Sequence, residues 1–85
     1  MTDAPTPQPE RDESNAQLRP LLFSIAYRMT GSVADAEDLV QDTFLRVHDA
    51  EARGTEIESR RAYACAVVTR RAIDHLRSAR VRREE

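Results

Sequence analysis

Between Asn15 and Thr30, the apolar residues Leu18, Leu22, Ile25 and Met29 recur at helical spacing and share one face. Leu21 and Ala26 widen that stripe. Pro20 conflicts with it, because a proline ring clashes in a helix interior and offers no N–H. The pattern therefore predicts a helix that either becomes regular near Arg19 or is kinked in its first turns. Gly31 suits the left-handed position that closes a helix. Ser32 with Asp35 then forms a Ser-x-x-Asp start signal, predicting a second helix from Val33 to about Ala50. Its apolar face reads Val33, Ala36, Val40, Phe44 and Val47. At about 100° per residue, Asp35, Asp38, Asp42 and Asp49 fall opposite. Leu39 and Leu45 are expected to flank this acidic stripe, outside the core.

Glu51 to Ser59 reads as a loop, after which either Thr55 or Ser59 can cap the next helix. The third helix is predicted from about Arg60 to Arg80. Ala62, Cys65, Ala66, Thr69, Ala72, Ile73 and Leu76 are its expected core side. Arg60, Arg71, Ser78 and Arg82 are expected on the opposite side, flanked by Tyr63, Ala64, Val67, Val68, Asp74 and His75, with Arg70 and Arg77 on a border. No stretch carries a strand pattern. The expected fold is all-α, a compact three-helix bundle over residues 15–85 whose first two helices are neighbouring and roughly antiparallel. Residues 1–14, MTDAPTPQPERDES, hold three of the four prolines and no large apolar residue beyond Met1, and read as a disordered leader.

Length and composition narrow the picture. Eighty-five residues suffice for one domain and not for two. With two Phe, two Tyr and no Trp, the core must be aliphatic. The lone Cys65 excludes an internal disulfide, and with His48 and His75 it is too little for a zinc site. Neither a membrane span nor a signal peptide is apparent, so a cytoplasmic location is expected. His75 beside Asp74 and Arg71 makes no catalytic constellation, and no nucleophile sits with a base. The chain is not expected to be an enzyme, and no cofactor is implied.

The net charge of −2 conceals an asymmetry. From Arg60 to Arg83 eight arginines stand against one acid, Asp74, whereas the remainder holds five arginines and fourteen acids. All thirteen basic residues are arginine, a bias that a GC-rich genome produces without functional cause, although the guanidinium fork also suits phosphates and bases. A basic helix interleaved with apolar residues points to nucleic acid, and an acidic stripe with apolar edges to a protein partner. The plain alternative for each is a solvated helix surface.

These residues carry a resemblance. LRPLLFSIAYRMTGSVADAEDLVQDTFLRV followed by RAYACAVVTRRAIDHLRSARVRRE closely resembles region 2 of extracytoplasmic-function (ECF) sigma factors of the sigma-70 family, over about residues 16–84. The resemblance implies that the DAEDLVQDTFLRV helix docks on the coiled coil of the RNA polymerase β′ subunit. Asp38, Gln41 and Asp42 match the family's DxxQ[DE] pattern there, with Leu39 and Leu45 as apolar neighbours. It further implies that Arg60, Arg61, Arg70, Arg71, His75 and Arg77 approach the −10 promoter element, and that the loop at about 51–59 helps to capture a flipped base. An anti-sigma factor is a further candidate partner. Many relatives carry a Trp where Tyr63 and Ala64 stand, so strong unassisted melting is not expected. Region 4, the helix-turn-helix domain of such factors, is not in this sequence, which reads as an isolated domain. The competing expectation is a helical protein-interaction module, sequestered by a regulatory partner, that does not bind DNA on its own.

Overall fold

In the computed structural model, residues 14–84 are described, with side chains through Arg82. They form three helices: α1 (Asn15–Thr30), α2 (Val33–Ala52) and α3 (Arg60–Glu84). The expected all-α bundle is thus the architecture found, and no strand occurs among the described residues. The expected leader lies, apart from Ser14, outside them.

Short polar side chains set the helix ends. Ser14, Ser32 and Ser59 accept hydrogen bonds from the backbone N–H groups of Gln17, Asp35 and Ala62 at 3.2, 3.2 and 3.1 Å. Each satisfies a donor that the first turn leaves without a partner. Ser59, not Thr55, starts α3. Helix α1 closes on Gly31, which is left-handed at φ 70° and donates to the Tyr27 carbonyl. Helix α2 ends in a Schellman motif: Gly54 has φ 82° and donates to Glu51, while Thr55 donates to Ala50. Helix α1 spans Asn15–Thr30, the bounds of the apolar pattern, and contains Pro20 within it, so of the two alternatives left open there a start near Arg19 is not the one found. Pro20 sits on the exposed side of α1, and the Ala16 carbonyl that it leaves without a helical donor belongs to an exposed residue.

The helices run antiparallel in chain order. Arg19, early in α1, lies over the Phe44 ring deep in α2, with its guanidinium carbon 5.2 Å from the centroid. Thr30, at the other end of α1, hydrogen-bonds around Ser32. Between α2 and α3 the polar contacts Glu51–Arg60, Asp42–Arg71 and Asp35–His75 step in opposite directions along the two helices.

The core joins Leu18, Leu22 and Ala26 of α1 to Ala36, Leu39, Val40, Phe44 and Val47 of α2 and to Ala64, Val68 and Ala72 of α3. Thr43 is also fully buried, and its hydroxyl donates to the Leu39 carbonyl at 2.7 Å, so no unsatisfied donor enters the core. Three expectations are corrected here. The buried stripe of α3 is Ala64–Val68–Ala72, rotated by roughly a quarter turn from the expected side. Ile73 and Leu76 are exposed, as are Ala62 and Ala66. Leu39 is buried at 7% exposure, although it was expected beside the acidic stripe, and Val33 at the start of α2 is exposed. The cause is common to these differences. Each helix packs on both others, so its buried arc is placed by two neighbours, whereas counting apolar residues around one helix assumes a single contact stripe.

This rotation is testable by urea unfolding. Val68→Ala should cost about 1–3 kcal/mol through lost burial and a residual cavity, while Ile73→Ala should cost less than about 1 kcal/mol. The reverse order would place the wrong face of α3 inward. Gly54→Ala should cost about 1 kcal/mol from backbone strain alone, because nothing lies within 4 Å of the added methyl group.

Candidate functional site

Helix α2 presents two different acidic surfaces. Asp38 and Gln41 are exposed, and Leu45, one turn on from Gln41, is 63% exposed. Asp49 also faces outward and is paired with Arg53 at 3.2 Å, with both side chains mostly exposed. Such a pair contributes about 0.3–0.5 kcal/mol. Asp35 and Asp42 instead tilt toward α3 and are partly covered. The expected stripe of four aspartates is therefore split, two facing solvent and two facing the third helix.

Asp42 is the most engaged acid. Its Oδ2 accepts from Arg46 Nε at 3.1 Å, one turn along α2, and from Arg71 Nε at 2.8 Å across the helix interface. Asp35 Oδ2 lies 3.1 Å from His75 Nε2. An ionised carboxylate only accepts, so this contact requires Nε2 to carry the proton, and in the neutral ring Nδ1 is left as an acceptor. Around these pairs Leu39, Arg71, Asp74, His75, Ser78 and Val81 line an open depression between α2 and the second half of α3. Leu39, expected at the surface, forms part of its floor.

The six basic residues expected at a nucleic-acid surface divide in the same way. Arg61, Arg70 and Arg77 are exposed and make no ion pair among the described residues. Arg71 and His75 are tied to α2. Arg60 is only 20% exposed in its side chain and donates from Nε to Glu51 Oε2 at 2.7 Å, bridging the two ends of the 53–59 loop. Arg80 and Arg82 add exposed charge in the last turns of α3, beyond the point where His75 meets the start of α2. Val67, with Tyr63, lies partly buried beside Arg70 and Leu45 in a second depression between α2 and α3.

Sequence reasoning missed Asp35 and Glu51 as partners of α3, and Arg46 as a partner of Asp42. Only the last had a signal, the i,i+4 spacing of Asp42 and Arg46. The pairs between helices connect residues distant along the chain, and nothing local announces them. Cys65 is partly buried against the core. Among the described residues, no three of His, Cys, Asp and Glu gather as a metal site, and no helix is long and apolar enough to cross a membrane.

Comparison with known proteins places the chain in a family. The family model of Sigma-70 region 2 matches residues 16–82. The ECF RNA polymerase sigma factor SigJ of Mycobacterium tuberculosis is 51% identical over 67 residues, 79% of this chain and 20% of that protein. The probable ECF RNA polymerase sigma factor SigI of the same species is 38% identical over 66 residues, covering 78% and 22% of the two chains. SigF of Caulobacter vibrioides, another ECF RNA polymerase sigma factor, is 42% identical over 55 residues, 65% of this chain and 31% of its own. The chain thus spans about a fifth to a third of the length of these relatives. No solved structure matches it. With the match running from the first turn of α1 almost to the end of α3, the chain belongs to the Sigma-70 region 2 family of ECF sigma factors.

Proposed function

We propose that this chain is the promoter-specificity module of a bacterial RNA polymerase sigma factor, acting in the cytoplasm at transcription initiation. The observation that carries this reading is the presence of two outward surfaces of different character on neighbouring helices of one small bundle. An acidic and apolar surface lies on α2, and an unpaired arginine surface lies on α3, within a chain matched along its length by Sigma-70 region 2.

In this reading α2 docks on the β′ coiled coil of RNA polymerase. Asp38 and Gln41 supply exposed polar contacts. Leu45 supplies an apolar anchor of the kind that carries binding energy once surrounded by polar groups. Leu39 contributes by supporting the helix from beneath, since it is buried. Arg61, Arg70 and Arg77 are free to meet phosphates of the −10 element. Arg60 anchors the 53–59 loop through Glu51, so that the loop leaves α2 in a defined direction toward a base extruded from the opened strand. Arg71 and His75 face the depression between α2 and α3, where exposed Val81 offers an apolar contact to a base or sugar.

Two measurements test this. Asp38→Arg should weaken binding to a purified β′ coiled-coil fragment by at least about tenfold, through charge reversal at the interface, and leave the urea midpoint unchanged. Equal affinity for wild type and for both Asp38→Arg and Gln41→Ala would remove the docking assignment. For the complex of this chain with core polymerase, the salt dependence of binding to single-stranded DNA should become shallower by about 0.7 in log–log slope on Arg70→Ala. Its polymerase affinity should not change. A loss of both activities would place Arg70 in the fold or the docking surface instead.

A further inference from the structure

Arg71 and His75, which the reading above assigns to DNA, are each held by an aspartate of the neighbouring helix. Both contacts follow one pattern. Arg71 uses Nε to reach Asp42 Oδ2 at 2.8 Å, and His75 uses Nε2 to reach Asp35 Oδ2 at 3.1 Å. The guanidinium held at Nε keeps its two Nη groups for another partner, and among the described residues they meet no other acceptor. The imidazole held at Nε2 keeps Nδ1. Both side chains line the same depression, above Leu39, and both are partly exposed. Each basic group thus has one edge fixed to α2 and another edge available.

We propose that Asp35 and Asp42 are positioning residues of the DNA surface: they fix the side chains of His75 and Arg71 so that Nδ1 and the Nη groups are presented to a single DNA strand in the depression between α2 and α3. This rests on the function proposed above. Arginine and histidine side chains lose rotamer freedom when they bind, and a preset geometry removes part of that cost before DNA arrives. The acids also make this part of the surface close to neutral, so it is suited to a base or sugar edge, while the unpaired Arg61, Arg70 and Arg77 meet the phosphates. Asp42 accordingly serves α3 at least as much as it serves an external partner.

The proposal has a distinctive sign. Bare electrostatics says that deleting an acid beside DNA tightens binding, whereas loss of a positioning group weakens it. The experiment measures the affinity of a labelled, mixed-sequence single-stranded DNA for the complex of this chain with core RNA polymerase, with core alone as background. Asp35 is the residue of choice, because it lies outside the proposed polymerase contacts and caps α2 only through its backbone N–H. Asp35→Ala should weaken DNA binding roughly three- to tenfold, the loss of one charge-assisted hydrogen bond. Asp35→Asn, which keeps an acceptor for His75 Nε2 while removing the charge, should restore affinity to within about twofold of wild type. The double variant Asp35→Ala with His75→Ala should bind no more weakly than His75→Ala alone. Polymerase affinity and the urea midpoint are measured on every variant, and Glu37→Gln, which also removes one negative charge from α2, controls for net charge. Tighter or unchanged DNA binding by folded Asp35→Ala would overturn the inference alone. Failure of the wild-type complex to bind DNA beyond core polymerase would overturn the proposed function as well.

Discussion

Everything in this bundle depends on the stripe Ala64, Val68 and Ala72 along one side of α3. With only methyl groups at two of these positions, α3 can settle between α1 and α2, where Val68 joins the core and is fully buried. Close approach of the backbones follows from small side chains, and it has a second effect. Aspartate has one methylene group and a short reach, yet Asp42 and Asp35 both meet basic groups across the α2–α3 interface. Larger residues on the stripe would lift α3 away from α2, and the carboxylates would then face water. The apolar packing therefore decides which charges are paired, although the pairs themselves contribute little stability while they remain partly exposed.

Pairing in turn divides the surface. Of the acids on α2, those turned to α3 are engaged within the domain, and Glu37 and Asp38 are left as exposed negative charge, Asp38 beside Gln41 and Leu45. Of the basic residues on α3, Arg60, Arg71 and His75 are drawn into contacts with α2, and Arg61, Arg70 and Arg77 stay outward. A net charge near zero is thereby resolved into two adjoining surfaces of different character, one on α2 and one on α3. For a module proposed to bridge a polymerase and a DNA strand, this geometry matters more than the charge total.

Much of this was legible in the chain. The caps were readable because they are local: Ser32 reaches only three residues, and Gly31 answers a backbone torsion at one position. Helix number and order followed from the spacing of leucines, valines and alanines between those punctuation marks. The motif DAEDLVQDTFLRV identified the lineage, and the family match bears that out. Pro20 left the first turns of α1 undecided because its cost depends on whether the unsatisfied carbonyl is buried, and here Ala16 is exposed. The face of α3 was misjudged for a different reason. Its alanines, Cys65 and Thr69 are nearly indifferent to burial, so a helix this rich in small residues carries little signal about which side faces inward.

By itself, then, the sequence determined what short-range forces decide: three capped helices, an acidic second helix, a basic third one, and the family they belong to. The tertiary structure alone decided which flank of each helix is covered, that Leu39 is core and Leu45 is surface, and which aspartates are engaged across the α2–α3 interface. The physical reason is that burial in a three-helix bundle is set jointly by two neighbours, and a polar contact between helices by residues 29 and 40 positions apart. Neither quantity has a local counterpart along the chain.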